Sequence, residues 1–151
     1  VNVARSWGLE VGTYNGKNAR ALGYYAHTGA AGEGLRIMLG VDDVNTWLHE
    51  LLHAADHKLG GLESRKTSAG AYARNEAVAE FGQCVLAQCL GIEPRTGNAF
   101  HYLESYARAA EADPVSLVVS VFKRLCEAVD LVLTESRRLE AAQDAPAAVN
   151  A

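Results

Sequence analysis

The chain has 151 residues, of which 49% are hydrophobic and 21% charged, and its formal net charge is −4. This composition excludes a disordered chain, and the length suits one domain, expected over residues 1–143 with a frayed tail at 144–151. The mild acidity disfavours a binder of the nucleic-acid backbone, and no apolar run approaches the ~20 residues of a membrane span. Three cysteines without a CxxC pair, and no visible secretory signal, predict a cytoplasmic protein without a membrane anchor. Because position 1 is valine, we expect the chain to be part of something longer.

The N-terminal part, residues 1–42, is rich in glycine and aromatic residues and lacks helical periodicity. Residues 21–27 (ALGYYAH) and 35–39 (LRIML) predict two short strands, and the glycine-rich loop 29–34 between them is typical of a hairpin. The second strand is either an edge strand along which an extended peptide pairs or a plain core strand. In the first case Arg36, Ile37 and Met38 would contact substrate.

Four helices are predicted after this segment. Asp43 is a plausible N-cap for the first, whose apolar stripe ends at Gly60. The others are expected at about residues 71–90, at about residues 98–112, and from Asp113-Pro114 to the region of residue 137. The predicted fold class is therefore α+β, with a small antiparallel or mixed sheet followed by a mainly helical body. Arg124, in the last helix, is interpreted as an ordinary solvated charge.

The strongest chemical signal is the pentapeptide HELLH at residues 49–53. On a helix, His49 and His53 lie one turn apart on the same face, so both imidazoles can reach one metal ion. Glu50 points beside that pair, where it can take a proton from a water activated by the ion. The alternative is an exposed helix face that carries two histidines by coincidence.

Zinc also needs a third protein ligand. His57 is interpreted as a surface or rim residue, because it lies about 12 Å from His49 along a straight helix. Asp56 would close a tetrahedron awkwardly from the same helix, and Glu63 is an isolated candidate in the following loop.

The second predicted helix offers a better third ligand. Glu76 and Glu80 share one face of it, and two carboxylates that face the interior require a cation and a hydrogen-bond donor. Glu76 can then complete the metal site, and Glu80 can accept the remaining ring N–H of a ligating histidine. The alternative is a solvated face with mild repulsion between like charges.

The segments LHELLHAADHKLG and AYARNEAVAEFGQCVLAQCLGI resemble the gluzincin arrangement of thermolysin-like metallopeptidases. They are more closely similar to the zincin domain of ArdC-type antirestriction proteins and of phage and plasmid polyvalent proteins. The similarity covers about residues 21–133, weakens after Pro94, and includes the GYY tyrosines at residues 23–25. It implies a zincin-like fold, zinc held by His49, His53 and Glu76, Glu50 as the catalytic glutamate, and Glu80 in an outer, supporting position. Asn75 departs from the acidic residue often found there, and the family's N-terminal single-strand-DNA-binding domain is not recognisable.

A peptidase also needs a donor for the developing oxyanion. Tyr72, His101, Tyr102 and Tyr106 are available for this, and each is alternatively a packing residue. Tyr102 stands where the ArdC-type pattern has a tyrosine.

Two functions follow from these residues. The first is a zinc-dependent metallopeptidase that acts on a peptide or protein substrate, with Glu50 as general base. The second is a non-proteolytic, zinc-stabilised binding module of an antirestriction or polyvalent protein. Nucleic-acid binding is not expected of this segment alone and would come through a further domain. An apo helical domain with coincidental histidines remains a third interpretation.

Overall fold

The computed structural model describes residues 1–15, 21–26, 34–62, 68–94 and 96–144, apart from the side chains of residues 97–99. Residues 29–33 of the predicted loop, Glu63 and the tail residues 145–151 lie outside these ranges. The elements in chain order are α1 (Asn2–Ser6), β1 (Glu10–Thr13), β2 (Gly23–Ala26), β3 (Arg36–Leu39), α2 (Val44–Lys58), α3 (Ala69–Cys89), α4 (Thr96–Ala109) and α5 (Pro114–Asp144). The predicted α+β class, a small sheet followed by a mainly helical body, is confirmed.

The sheet has three strands in the order β1-β3-β2. β2 and β3 pair antiparallel, as the hairpin signal predicted, whereas β1 pairs parallel to β3. The interpretation of Arg36, Ile37 and Met38 as an edge strand is wrong, because β3 has a neighbour on both sides and its backbone is used within the sheet. Within the part of the chain that the structure describes, β1 and β2 form the two edges.

Two elements of the N-terminal part were not predicted. The helix α1 has five residues, too few to display a helical period, and β1 is a four-residue strand with only partial burial. Arg36 of β3 is in register with Glu10 of β1 on one side and Ala26 of β2 on the other. The missed β1 therefore moves β3 from the edge to the centre.

The predicted helix boundaries hold to within a few residues, except that α5 continues beyond the predicted region of residue 137. Asp43 caps α2 by accepting a 2.9 Å hydrogen bond from the backbone N–H of Thr46. Asp113 accepts an equivalent 2.8 Å bond at the start of α5. Gly60 and Gly91, just beyond α2 and α3, have positive φ values of 75° and 69°, a conformation that glycine adopts without strain.

The core lies around α3, which contacts α2, α4 and α5. Half of the buried residues of α3 are alanine or glycine, which lets the neighbouring helices approach closely. The sheet packs on the other side of α2, which makes α2 the element between sheet and helical body. None of the described helices has the length and the apolar character that crossing a membrane requires.

Gly82 on α3 lies directly against the Leu52 side chain of α2. A Cβ at this position would stand 2.8 Å from Leu52 Cδ1 and 3.1 Å from Leu52 Cγ, so Gly82→Ala forces the buried Leu52 side chain or the helices themselves to shift. We expect a loss of about 1–3 kcal/mol in the free energy of unfolding, measured by denaturant titration. Gly70→Ala on the same helix is the control, because its Cβ would meet the flexible end of Arg74 at 3.3 Å and Ser68 Oγ at an ordinary contact distance of 3.7 Å. If both variants unfold alike, the close contact at Gly82 does not limit helix packing.

Candidate metal centre

The two histidines of the pentapeptide lie on the side of α2 that faces α3. The side chain of His49 is 18% exposed and that of His53 only 3%, and the two rings meet edge to face with centroids 4.8 Å apart. The leucines of the same helix are buried on its other sides. The predicted common face of His49 and His53 is thus present, and it is an interior face and not an exposed one.

Glu76 of α3 meets both imidazoles. His49 Nε2 and His53 Nε2 are 3.2 Å apart, and Glu76 Oε2 lies 3.5 Å from the first and 3.7 Å from the second. A circle through three atoms with these separations has a radius of about 2.0 Å, which matches the ~2.0–2.2 Å that zinc keeps from nitrogen and oxygen ligands. Among the described residues, these three form the cluster with donor atoms suited to a metal ion.

The electrostatics of the cluster favour a charged carboxylate beside the imidazoles. Burial alone would raise the pKa of Glu76, but the nearby imidazoles of His49 and His53 outweigh burial and lower that pKa well below its usual range. Burial would likewise lower the pKa of His49, whereas its bond with Glu76 and the charges of Glu50 and Glu80 raise it. An anionic carboxylate close to two imidazole nitrogens is a donor set that suits a divalent cation.

Glu80 lies one turn further along α3, on the outer side of His49. Its Oε1 is 3.6 Å from His49 Nδ1, which is near the predicted hydrogen-bonding position but beyond hydrogen-bond length. Burial raises the pKa of Glu80, and the charge of Glu76 adds to that rise. The carboxylate therefore neighbours the ring nitrogen that faces away from the three-atom cluster.

Glu50 sits beside the cluster and is 7% exposed. Its carboxylate accepts a hydrogen bond from the backbone N–H of Tyr25 in β2, so the sheet holds it from the side opposite α3. Burial raises the pKa of Glu50, while the charges of His49 and His53 act in the opposite direction. A buried carboxylate with a raised pKa is better suited to accept a proton than an exposed one.

His57 and Asp56, which were considered as a third metal ligand, have other partners in the structure. His57 Nδ1 lies 2.6 Å from the hydroxyl of Tyr25, away from the cluster, and the ring is partly buried. Asp56 is fully buried and is held by Arg124 through two hydrogen bonds of 2.7 and 2.6 Å. The interpretation of Arg124 as a solvated charge is wrong, because its guanidinium also donates a 2.6 Å bond to Asn75 Oδ1.

A cleft of about 400 Å³ opens above the cluster. It is bounded by β2 and the residues before it, by the start of α2, by α3 and by α4. Of the predicted oxyanion donors, Tyr72, Tyr102 and Tyr106 line this cleft, whereas His101 is exposed and is not among its lining residues. Burial raises the pKa of Tyr106, and Glu76 and Tyr72 add to the rise, so its hydroxyl keeps its proton.

Comparison with known proteins agrees with this geometry. The family model described as zincin-like metallopeptidase matches residues 41–121, which is more than half of the chain and includes α2 and α3. The chain belongs to the zincin-like metallopeptidase family. The search of curated proteins found no match to this chain.

The zincin-like chain is also similar in structure to the antirestriction protein ArdC from the R388 plasmid, in a crystal structure described as Mn(II)-bound. The TM-score is 0.59 at 24% sequence identity, which shows a shared fold. The alignment covers 88% of this zincin-like chain and 50% of ArdC, so the chain spans half the length of that relative. The resemblance predicted from the sequence is confirmed at the level of family and fold.

Two further residues of the zincin-like cleft were not predicted. Asn45 lines it one turn before His49, and Gln83 lines it three residues after Glu80. Both amides are buried. Their spacing from the predicted site residues is helical, so the periodicity used for the histidines would have found them.

Proposed function

We propose that this chain is a zinc-dependent peptidase and that His49, His53 and Glu76 hold the ion. The observation that carries the proposal is the triangle of donor atoms, with sides of 3.2, 3.5 and 3.7 Å, beside a buried glutamate at the floor of a cleft. A zinc ion bound there would supply Lewis acidity, which lowers the pKa of a water and polarises a peptide carbonyl. Family membership and the Mn(II)-bound relative support a divalent cation.

Glu50 performs the proton transfers in this proposal. It takes a proton as the oxygen of the attacking water bonds to the carbonyl carbon, and it returns that proton to the amine as the C–N bond breaks. Two contacts prepare it for this task. The backbone N–H of Tyr25 orients the carboxylate, and burial raises its pKa toward the range where a general base works.

The tyrosines of α3 and α4 that line the cleft are the proposed donors to the developing oxyanion. Tyr72 and Tyr106 are joined by a side-chain hydrogen bond, and their rings meet edge to face at 5.5 Å. Tyr102 stacks against Tyr106 at 6.3 Å and is 46% exposed at the mouth of the cleft. Tyr72 and Tyr106, the deeper pair, are better placed to donate than Tyr102.

The substrate backbone would pair with β2, which takes over the role predicted for β3. β2 lines the cleft. Among the described residues its one neighbouring strand is β3, so its other edge is not paired with a strand. The backbone N–H of Tyr25 in this strand donates to the carboxylate of Glu50, which lies beside the cluster. An extended peptide added to this edge would bring its carbonyl groups past the cluster.

Metal content tests the ligand set. Glu76→Ala removes one of three donors, and we expect its zinc affinity to fall by more than the 10–100-fold that loss of an outer partner causes. The measurement is zinc competition against a chromogenic chelator, and circular dichroism shows whether the helices remain. The control is Glu104→Ala, an exposed glutamate of α4. Retention of stoichiometric, tight zinc by Glu76→Ala would contradict the proposed ligand set.

A second function, a non-proteolytic metal-stabilised module of an antirestriction system, is favoured by the fold shared with ArdC. Its partner would be a protein or a nucleic acid, engaged together with a further domain. A salt-dependent gel shift with single-stranded DNA would support this function, whereas chelator-sensitive cleavage of a protein would support the first. In either case we propose one domain over residues 1–143, in the reducing cytoplasm where Cys84, Cys89 and Cys126 stay free thiols.

A further inference from the structure

One tyrosine of β2 is attached to α2 at two places. The backbone N–H of Tyr25 donates a hydrogen bond to the carboxylate of Glu50. At the other end of the same residue, the hydroxyl oxygen lies 2.6 Å from Nδ1 of His57. The ring between these two contacts is half-buried and packs against the hydrophobic core. Tyr25 is therefore fixed to the helix both through its main chain and through the tip of its side chain.

The two contact points on α2 share one face of the helix. Glu50 and His57 are seven residues apart, and seven residues turn a helix by about 700°, which is within about 20° of two full turns. Both side chains therefore lie on the side of α2 that contacts β2, about 10 Å apart along the helix axis. A single tyrosine that lies along this face can contact one of them with its backbone and the other with its hydroxyl group.

The strand also lies close to the aliphatic part of Glu50. A Cβ at Gly23, two residues before Tyr25, would stand 3.2 Å from Glu50 Cγ and 2.9 Å from Thr46 Cγ2. Glycine at this position lets the backbone of β2 approach α2. The orientation of the Glu50 carboxylate therefore depends on where β2 lies on α2, and the hydrogen bond between Tyr25 and His57 is a polar contact that sets this position.

The phenol and the imidazole are suited to a lasting hydrogen bond. Burial raises the pKa of Tyr25 to about 12, so the phenol keeps its proton near neutral pH. It can donate this proton to Nδ1 of a neutral imidazole, which accepts through one ring nitrogen. The two rings are tilted by 54° with centroids 5.8 Å apart, so they meet through these polar atoms and not by stacking.

We propose that His57 and Tyr25 are positioning residues for the general base. The hydrogen bond between their side chains holds β2 on α2, and the backbone N–H of Tyr25 then holds the carboxylate of Glu50 in the orientation from which it takes the proton. The proposal rests on the proposed function, because it takes Glu50 as the base. It assigns a role to two side chains that act on the reaction through Glu50.

The amide hydrogen of Tyr25 tests this arrangement without any need for hydrolysis. In zinc-loaded protein with isotope-labelled tyrosine, we expect His57→Leu to speed the exchange of this hydrogen with solvent by roughly tenfold or more, because the bond to the carboxylate is weakened. His57→Asn should exchange as the wild type does, since asparagine has the shape of leucine and offers Oδ1 as an acceptor. The control, His101→Leu, makes the same change at an exposed histidine and should leave the exchange unaltered. Wild-type exchange in His57→Leu would overturn the proposal.

Kinetics separate positioning from a general loss of structure. We expect His57→Leu and Tyr25→Phe each to lower kcat by about 10- to 100-fold, while KM and the zinc affinity stay within about twofold of the wild type. The double variant should be no slower than either single variant, because both remove the same hydrogen bond. His57→Asn should recover most of the rate. Equal losses of kcat in His57→Asn and His57→Leu, or a double variant that loses the product of the two single losses, would overturn the proposal.

The two measurements also distinguish this proposal from the proposed function. Absence of chelator-sensitive peptide cleavage by the zinc-loaded wild type would overturn the proposed function, whereas the exchange of the Tyr25 amide hydrogen would still show whether His57 holds β2 against Glu50. Cleavage by the wild type and an unchanged kcat in His57→Leu would overturn the positioning role alone.

Discussion

Glu50→Gln is expected to abolish peptide hydrolysis while the protein keeps stoichiometric zinc. The amide has nearly the shape of the carboxylate but cannot accept the proton of the attacking water, and the loss of a general base costs about 10²–10⁴-fold in rate. Glu50 is not one of the three residues of the metal-binding cluster, so the zinc affinity of the variant should stay close to that of the wild type. The measurements are the turnover of a peptide library and the zinc content of the purified variant.

The matched control is Glu10→Gln, the same chemical change at an exposed position of β1. It should hydrolyse as the wild type does. If Glu50→Gln retains the wild-type rate, Glu50 is not the base. If it loses zinc and its fold, the glutamate serves the structure through its bond to the N–H of Tyr25. Either result would remove the peptidase mechanism proposed above.

Arg124→Met is expected to cause the largest loss of stability. It leaves Asp56, which has no solvent exposure, as a buried carboxylate without its two hydrogen bonds to the guanidinium. Breaking a buried ion pair from one side costs about 3–5 kcal/mol, which lowers the melting temperature by roughly 10 °C in a chain of this size. Calorimetry and urea unfolding measure both quantities.

Lys123→Met is the control for Arg124→Met. It removes a neighbouring cation of α5 that lies on the surface, so it separates the loss of the buried pair from the loss of a positive charge in general. Lys123 is 89% exposed and pairs with Glu127 at 3.6 Å on the surface, so its replacement should change stability by less than about 1 kcal/mol. The double variant Asp56→Leu/Arg124→Met should recover much of the loss, because it leaves no unpaired buried charge. A double variant as unstable as Arg124→Met would show that the guanidinium acts mainly through Asn75 or through packing.

The candidate metal centre was largely predictable because its residues follow helical periods. His49 and His53 recur at four residues on α2, as do Glu76 and Glu80 on α3, and a period of 3.6 places each pair on one face. When two otherwise apolar helices pack together, the imidazoles of one and the carboxylates of the other need polar partners, and each pair supplies them to the other. The same local signals predicted the caps, since Asp43 and Asp113 act on backbone groups within three residues.

The role of β3 was not predictable in this way. Whether a strand lies at the edge or in the centre depends on a partner elsewhere in the chain, here β1, whose four residues display no clear alternation. The proposed substrate edge is therefore β2 and not β3. Tyr25, seen in sequence only as part of a family pattern, donates its backbone N–H to Glu50.

The sequence by itself determined the family, the α+β order of elements and the residues that can hold a cation, because these depend on spacing within single helices. Only the tertiary structure decided which polar groups find partners. Arg124, 68 residues from Asp56, is half-buried and pairs with it, and the buried amide oxygens of Asn45 and Gln83 have no hydrogen-bond partner among the described residues. The physical reason is that burial and pairing depend on neighbours from distant parts of the chain. The sequence is the same whether the hydrogen-bonding groups of a side chain contact water or a buried partner.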